Sequence, residues 1–160
     1  MGTNGSAMLV EPSRRGLPPI DPSAVSRSAS CALSARYEAV REARKFSGGT
    51  LDEWGLADHC DDIGLVVSEL VTNALRHALP SDVPRPAAPP VRLHLLHWAS
   101  RLVCAVRDPS TDSPIACEVD DFAAESGRGL FLVDSLSQSW GWHPLPNSQP
   151  GKVVWAVFGV

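Results

Sequence analysis

Lysine is almost missing from this sequence: Lys45 and Lys152 are the only two. That shortage, with no Gly-x-x-x-x-Gly-Lys-Ser/Thr anywhere, excludes a P-loop, whose lysine must reach the nucleotide phosphates. Positive charge is scarce in general. The formal net charge is −4 and the pI is near 5.7, which argues against a nucleic-acid surface, since that needs clustered Lys and Arg to displace phosphate counterions. No apolar run approaches the roughly 20 residues that cross a bilayer, so no membrane span is expected. The four cysteines, Cys31, Cys60, Cys104 and Cys117, are far apart and form no CxxC or Cys/His ligand spacing, which removes a zinc knuckle and a disulfide framework. The first residues lack the charged start and apolar stretch of a signal peptide. A reducing, cytoplasmic setting with free thiols acting as small buried hydrophobes is therefore expected.

What is present suits one ordinary soluble domain: 160 residues, 44% hydrophobic and 20% charged. Residues 1–28 are rich in Gly, Pro, Ser and Arg without periodicity and are predicted to be a flexible tail, leaving 29–160 as the folded domain. Val40, Ala43, Phe46, Leu51 and Trp54 recur at helical spacing, interrupted by Gly48-Gly49, so one weakened helix or two short ones are predicted. Asp61-Asp62 opens the best helix, running to Ala78, with its carboxylates at the positive end of the helix dipole. Five prolines make 80–90 an exposed connector. Apolar runs at 91–98 and 102–108 around Ala99-Ser100-Arg101 read as a hairpin, 129–136 as a short helix, and 139–143 and 152–158 as two further strands. The five tryptophans, Trp54, Trp98, Trp140, Trp142 and Trp155, are scattered along the chain and read as core and edge packing. Helices segregated from strands predict an α+β two-layer sandwich, helices on one face of a mixed, mostly antiparallel sheet.

On the 61–78 helix the apolar stripe is broken by Glu69 and Asn73, four residues apart, with His77 four further on, so the three share a face. A carboxylate can take a proton, and a neutral amide oxygen is a hard ligand suited to Mg²⁺. A solvated polar face is the plain alternative, and His77 also suits a helix C-terminus, where a histidine meets the negative dipole end.

The order of the motifs is more specific. Glu69-Leu-Val-Thr-Asn73-Ala-Leu-Arg-His77-Ala78 closely resembles the N-box of GHKL (Bergerat-fold) ATPases, especially the small bacterial anti-sigma-factor serine kinases and their histidine-kinase-like relatives. Val106-Arg107-Asp108 ends a strand where that family places the aspartate that reads the adenine amino group. Glu125-Ser126-Gly127-Arg128-Gly129-Leu130 resembles its phosphate-side glycine region, and Gly151-Lys152-Val153-Val154-Trp155-Ala156 its closing strand. One departure stands out. Where the family has Asp-x-Gly-x-Gly, this chain has Asp108-Pro109-Ser110-Thr111-Asp112, with neither glycine, which implies a weaker hold on ATP.

The resemblance implies the histidine-kinase-like ATPase fold and Mg-ATP as ligand. Asp108 would accept from adenine, Asn73 would hold Mg²⁺, and His77, Gly127, Arg128, Gly129 and Leu130 would line the nucleotide. Glu69 would be the catalytic base. The implied activity is that of an ATP-dependent protein serine/threonine kinase which phosphorylates a small antagonist protein and sequesters a sigma factor, with a homodimer as one allowed assembly. A non-catalytic ATP-binding module that captures a partner, and a small ATP hydrolase in which Glu69 activates water, remain the alternatives. Taken alone, Asp108 also reads as a strand-ending loop residue and Gly-x-Gly as a plain turn. The long 109–126 loop, with Asp112, Glu118, Asp120, Asp121 and Glu125, is expected to act as a lid over the nucleotide.

Overall fold

The computed structural model describes residues 22–78, 91–110 and 125–160, with the side chains of 22, 77, 78 and 125–129 left undescribed. Most of the expected tail, the proline connector and most of the expected lid fall outside these residues. Three helices, α1 (Glu38–Glu53), α2 (Cys60–Ala78) and α3 (Glu125–Leu136), pack on a sheet of β1 (Val25–Leu33), β2 (Val91–Trp98), β3 (Arg101–Asp108), β4 (Ser139–Pro144) and β5 (Lys152–Gly159). The strand order is β1-β2-β3-β5-β4. Every pairing is antiparallel, so the α+β sandwich is as expected but the sheet is not mixed among the described strands.

Helix α1 runs unbroken through Gly48-Gly49. A Cβ at Gly48 would only touch Cys60 Sγ at 3.5 Å, and one at Gly49 would meet nothing, so packing space does not demand either glycine. The helix survives because Ala39, Ala43, Ser47, Thr50 and Leu51 bury one stripe against its neighbours. It ends in a Schellman turn: Gly55 takes φ +75°, its N–H reaches the Asp52 carbonyl, and the Leu56 N–H reaches that of Leu51. In α2 the buried stripe is Ile63, Val66, Val67, Leu70, Val71 and Ala74, as its periodicity predicts.

Strand β1 is the element that the sequence pattern did not mark, and it takes in Val25 to Ser28 from the segment read as tail. Its residues are mostly exposed or half-buried, so an edge strand of this kind carries little hydrophobic alternation to detect. The β2–β3 hairpin turns on Ala99-Ser100, with Ala99 at φ 53°. Facing the helices are Leu93 and Leu95 of β2, Leu102, Cys104 and Val106 of β3, and Val154, Ala156 and Phe158 of β5, all buried. Trp140 and Trp142 are buried on β4, and Trp140 Nε1 donates to Asp134 Oδ1 of α3 at 3.2 Å. Trp54 stacks on His97, ring centroids 6.1 Å apart, while Trp98 lies under the Arg101 guanidinium. The tryptophans therefore pack, as expected.

Candidate nucleotide site

The charged centre of the molecule lies where β3 ends and β5 begins. Asp108 and Lys152 are register partners across the two central strands, and each is only 1% exposed. Lys152 Nζ donates to Asp108 Oδ1 at 3.1 Å, and the Ser110 backbone N–H donates to the same oxygen at 2.8 Å. The second bond is an Asx turn, which reverses the chain out of β3 and fixes the carboxylate against the strand end. An ionised carboxylate offers about four acceptor directions, so it can serve more than its own turn.

Helix α2 lies over β3 and brings the second group. Asn73 is buried, 5% exposed, and its Oδ1 accepts no hydrogen bond among the described residues. Glu69, half-buried, stands one helical turn before it. A buried acceptor without a donor costs roughly 1–3 kcal/mol, unless a ligand meets it. Mg²⁺ fits that atom: it takes hard oxygens, keeps several waters and needs few protein ligands. No group of three His, Cys, Asp or Glu that could hold a metal occurs among the described residues.

His77 occupies the last turn of α2. Gly127, Arg128 and Gly129 do not form a turn ahead of a helix: α3 starts at Glu125, so the Gly127 N–H is among those that lack a helical partner, whereas those of Arg128 and Gly129 enter the helix's own ladder. The expected glycine turn is thus the first part of the helix itself, since helix N-termini tolerate glycine when the ladder continues beyond it. Leu130 is buried at 3%, in the core cluster with Val133.

Sequence reasoning missed Lys152 as a site residue. The available signal was a lysine in a sequence nearly devoid of them, placed in step with Val154, Ala156 and Phe158, all of which face inward. A cavity of about 280 Å³, beside His59, Asp62, Leu136 and Phe158, opens at the other end of α2, about 15 Å from Asn73 by helical rise. It shares no residue with this site.

A conserved-domain profile described as the histidine kinase-like ATPase domain matches residues 33–158. This chain belongs to that family. The ATPase-domain fold recurs in the crystal structure of the RsbU and RsbW domains of Rv1364c from Mycobacterium tuberculosis, with a TM-score of 0.61 and 20% identity over 84% of this chain and 32% of that one. It also recurs in the SiaB–SiaC complex from Pseudomonas aeruginosa, with a TM-score of 0.56 and 12% identity over 84% of this chain and 90% of the other. The chain thus spans about a third of the length of the mycobacterial one. At these identities the likeness is one of fold. No curated protein matches the sequence. None of the helices among the described residues is long and apolar enough to cross a membrane.

Proposed function

We propose that this ATPase domain binds Mg-ATP at the Asp108 end of the sheet, under the Glu69/Asn73 face of α2, and is a regulatory protein serine/threonine kinase of anti-sigma-factor type. The observation that carries the proposal is the buried Oδ1 of Asn73, which accepts no hydrogen bond among the described residues, one turn from a half-buried carboxylate. Bound Mg²⁺ would neutralise phosphate charge, which phosphoryl transfer requires far more than it requires covalent help. Asn73 contributes the oxygen that holds and orients the metal. Glu69 takes the proton from the attacking hydroxyl, leaving ADP as the departing group. Asp108 accepts from the exocyclic amine of adenine, and the open N–H groups at the start of α3, up to Gly127, would meet the phosphates, with Arg128 and Gly129 in the turn that follows and His77 at the α2 end of the same pocket. One solved protein of this fold, SiaB, is found in complex with a second protein, SiaC, which supports a protein partner here. That partner would be the phosphoryl acceptor and a sigma factor the species held back, as the motif resemblance implies.

One observation favours a second reading, a binding module without turnover: Ser110 and Asp112 stand at the two positions after Asp108 where glycines would let backbone approach the nucleotide most closely. The two readings separate in one experiment. Labelled ATP is incubated with the protein and candidate antagonist proteins, beside calorimetric titration of Mg-ATP and Mg-GTP. The kinase reading expects ATP binding in preference to GTP, label on a serine or threonine, and loss of label with near-normal binding for Glu69→Gln. Binding with no transfer to any acceptor would leave the module, and release of phosphate without acceptor would leave the hydrolase.

A further inference from the structure

Lys152 has no packing reason to be a lysine. Its strand faces the helices with Val154, Ala156 and Phe158, all buried, and an apolar residue would continue that row. As a cross-link the buried pair is a poor investment, because desolvating two charges costs about what their attraction returns. The ammonium also has three N–H donors, and among the described residues it uses one, on Asp108 Oδ1. A residue that is 1% exposed with donors unspent is aimed at something that accepts.

Its place says what. Donor and acceptor stand 3.1 Å apart, on register partners at adjoining strand ends, and both side chains lie on the helix-facing side of the sheet. A purine edge offers the complementary pattern: in adenine the exocyclic amine is a donor and the neighbouring ring nitrogen N1 an acceptor. We infer that Lys152 is a specificity-determining residue of the nucleotide site: it donates to adenine N1 while Asp108 accepts from the adjacent amine. The inference rests on the ATP reading above and extends it to a second contact. Guanine reverses the order, with a carbonyl in place of the amine and N1–H in place of N1, so in the same orientation it would set acceptor against carboxylate and donor against ammonium. The pair therefore rejects guanine twice, where Asp108 alone would reject it once.

The test needs an analogue more than a mutant. Calorimetry with Mg²⁺ present compares ATP with 1-deaza-ATP, which carries CH in place of N1 and keeps the amine. Wild-type protein should bind the analogue about ten- to hundredfold more weakly, the range for losing one hydrogen bond to a charged donor. In Lys152→Met the ratio of the two affinities should fall to about one, whatever happens to their absolute values. A lysine serving only the fold would weaken both ligands together and leave the ratio where it was. If Lys152→Met does not fold, the wild-type ratio still decides: equal affinity for ATP and 1-deaza-ATP overturns the inference and leaves the ATP site standing. Failure of wild-type protein to bind ATP at all overturns both.

Discussion

The backbone of Gly151 lies against the carbonyl oxygen of Asp108, so close that a Cβ at position 151 would stand 2.5 Å from it and 2.7 Å from Leu145 Cδ1. Gly151 also holds φ +134°, which side chains rarely adopt, and its carbonyl accepts the Leu145 N–H at 3.0 Å to close the β4–β5 turn. The residue that follows is Lys152, so this contact sets where the ammonium starts and where the carboxylate ends. Gly151→Ala should therefore cost about 1–3 kcal/mol from backbone strain and crowding, read as a fall in denaturation midpoint. Nucleotide affinity should fall with it. A stable variant with unchanged midpoint would show that the strand ends part easily.

Asn73 should behave in the opposite way. Its Oδ1 makes no hydrogen bond among the described residues, so removing it forfeits none there, and Asn73→Ala should change stability by no more than about 1 kcal/mol. Mg-dependent nucleotide binding should drop at least about tenfold, since the metal loses its protein oxygen. Thermal melts with and without Mg-ATP measure both at once. A strongly destabilised variant would mean the amide is a structural group after all.

Helix α2 and the β2–β3 hairpin were legible because their signals are periodic: Ile63, Val66, Val67, Leu70 and Val71 cannot be read as a strand, and the 91–98 run alternates. Two of the candidate site residues sit on those elements or beside them: Asn73 is buried on α2, and Asp108 ends β3 where the strand pattern puts it. What escaped depends on neighbours far away in sequence. β1 exists because β2 accepts its hydrogen bonds, from Leu33 opposite Val91 to Val25 opposite Trp98, and no pattern within Ser26, Arg27 and Ser28 announces that. Lys152 is 44 residues from its carboxylate, and only the β3–β5 register makes them partners. The early start of α3 lay in residues rich in glycine, where local propensity argues against what the chain does.

The cysteines should divide by burial. Cys104, fully enclosed between sheet and helices, has its thiol pushed up to about 12 by desolvation alone. Cys31, half-buried on the edge strand, is raised as well, first by desolvation and then by the Glu42 carboxylate, against the pull of Arg92. The thiolate is the nucleophile, so brief treatment of native protein with iodoacetamide near neutral pH should leave Cys104 unmodified and Cys31 slow, as read by peptide mass spectrometry. Denaturant should expose both equally. Modification of Cys104 in the native state at the rate seen in denaturant would mean that the core opens far more often than its packing implies.

His94 makes the pH dependence. It lies on the sheet face turned away from the helices, half-buried on β2 between Ser30 of β1 and Ala105 of β3. Desolvation lowers its pKa below the ordinary 6.5, and the guanidiniums of Arg92 and Arg107, themselves cross-strand partners, lower it further. The unfolded chain therefore takes up a proton on His94 at a higher pH than the folded one does. Between the two values the unfolded state holds more protons, so stability rises with pH there: the full contribution is present above about pH 6.5 and drains away as pH falls toward the folded value. Urea midpoints should fall between about pH 7 and pH 5, and His94→Gln should flatten that slope while leaving stability at neutral pH nearly unchanged. Removing one arginine tests the cause. Arg107→Gln relieves part of the repulsion on the imidazolium, so the His94 resonance followed by NMR should titrate at higher pH than in wild type. A His94 titration that stays put in Arg107→Gln would remove Arg107 from the causes and leave the depression to burial and Arg92.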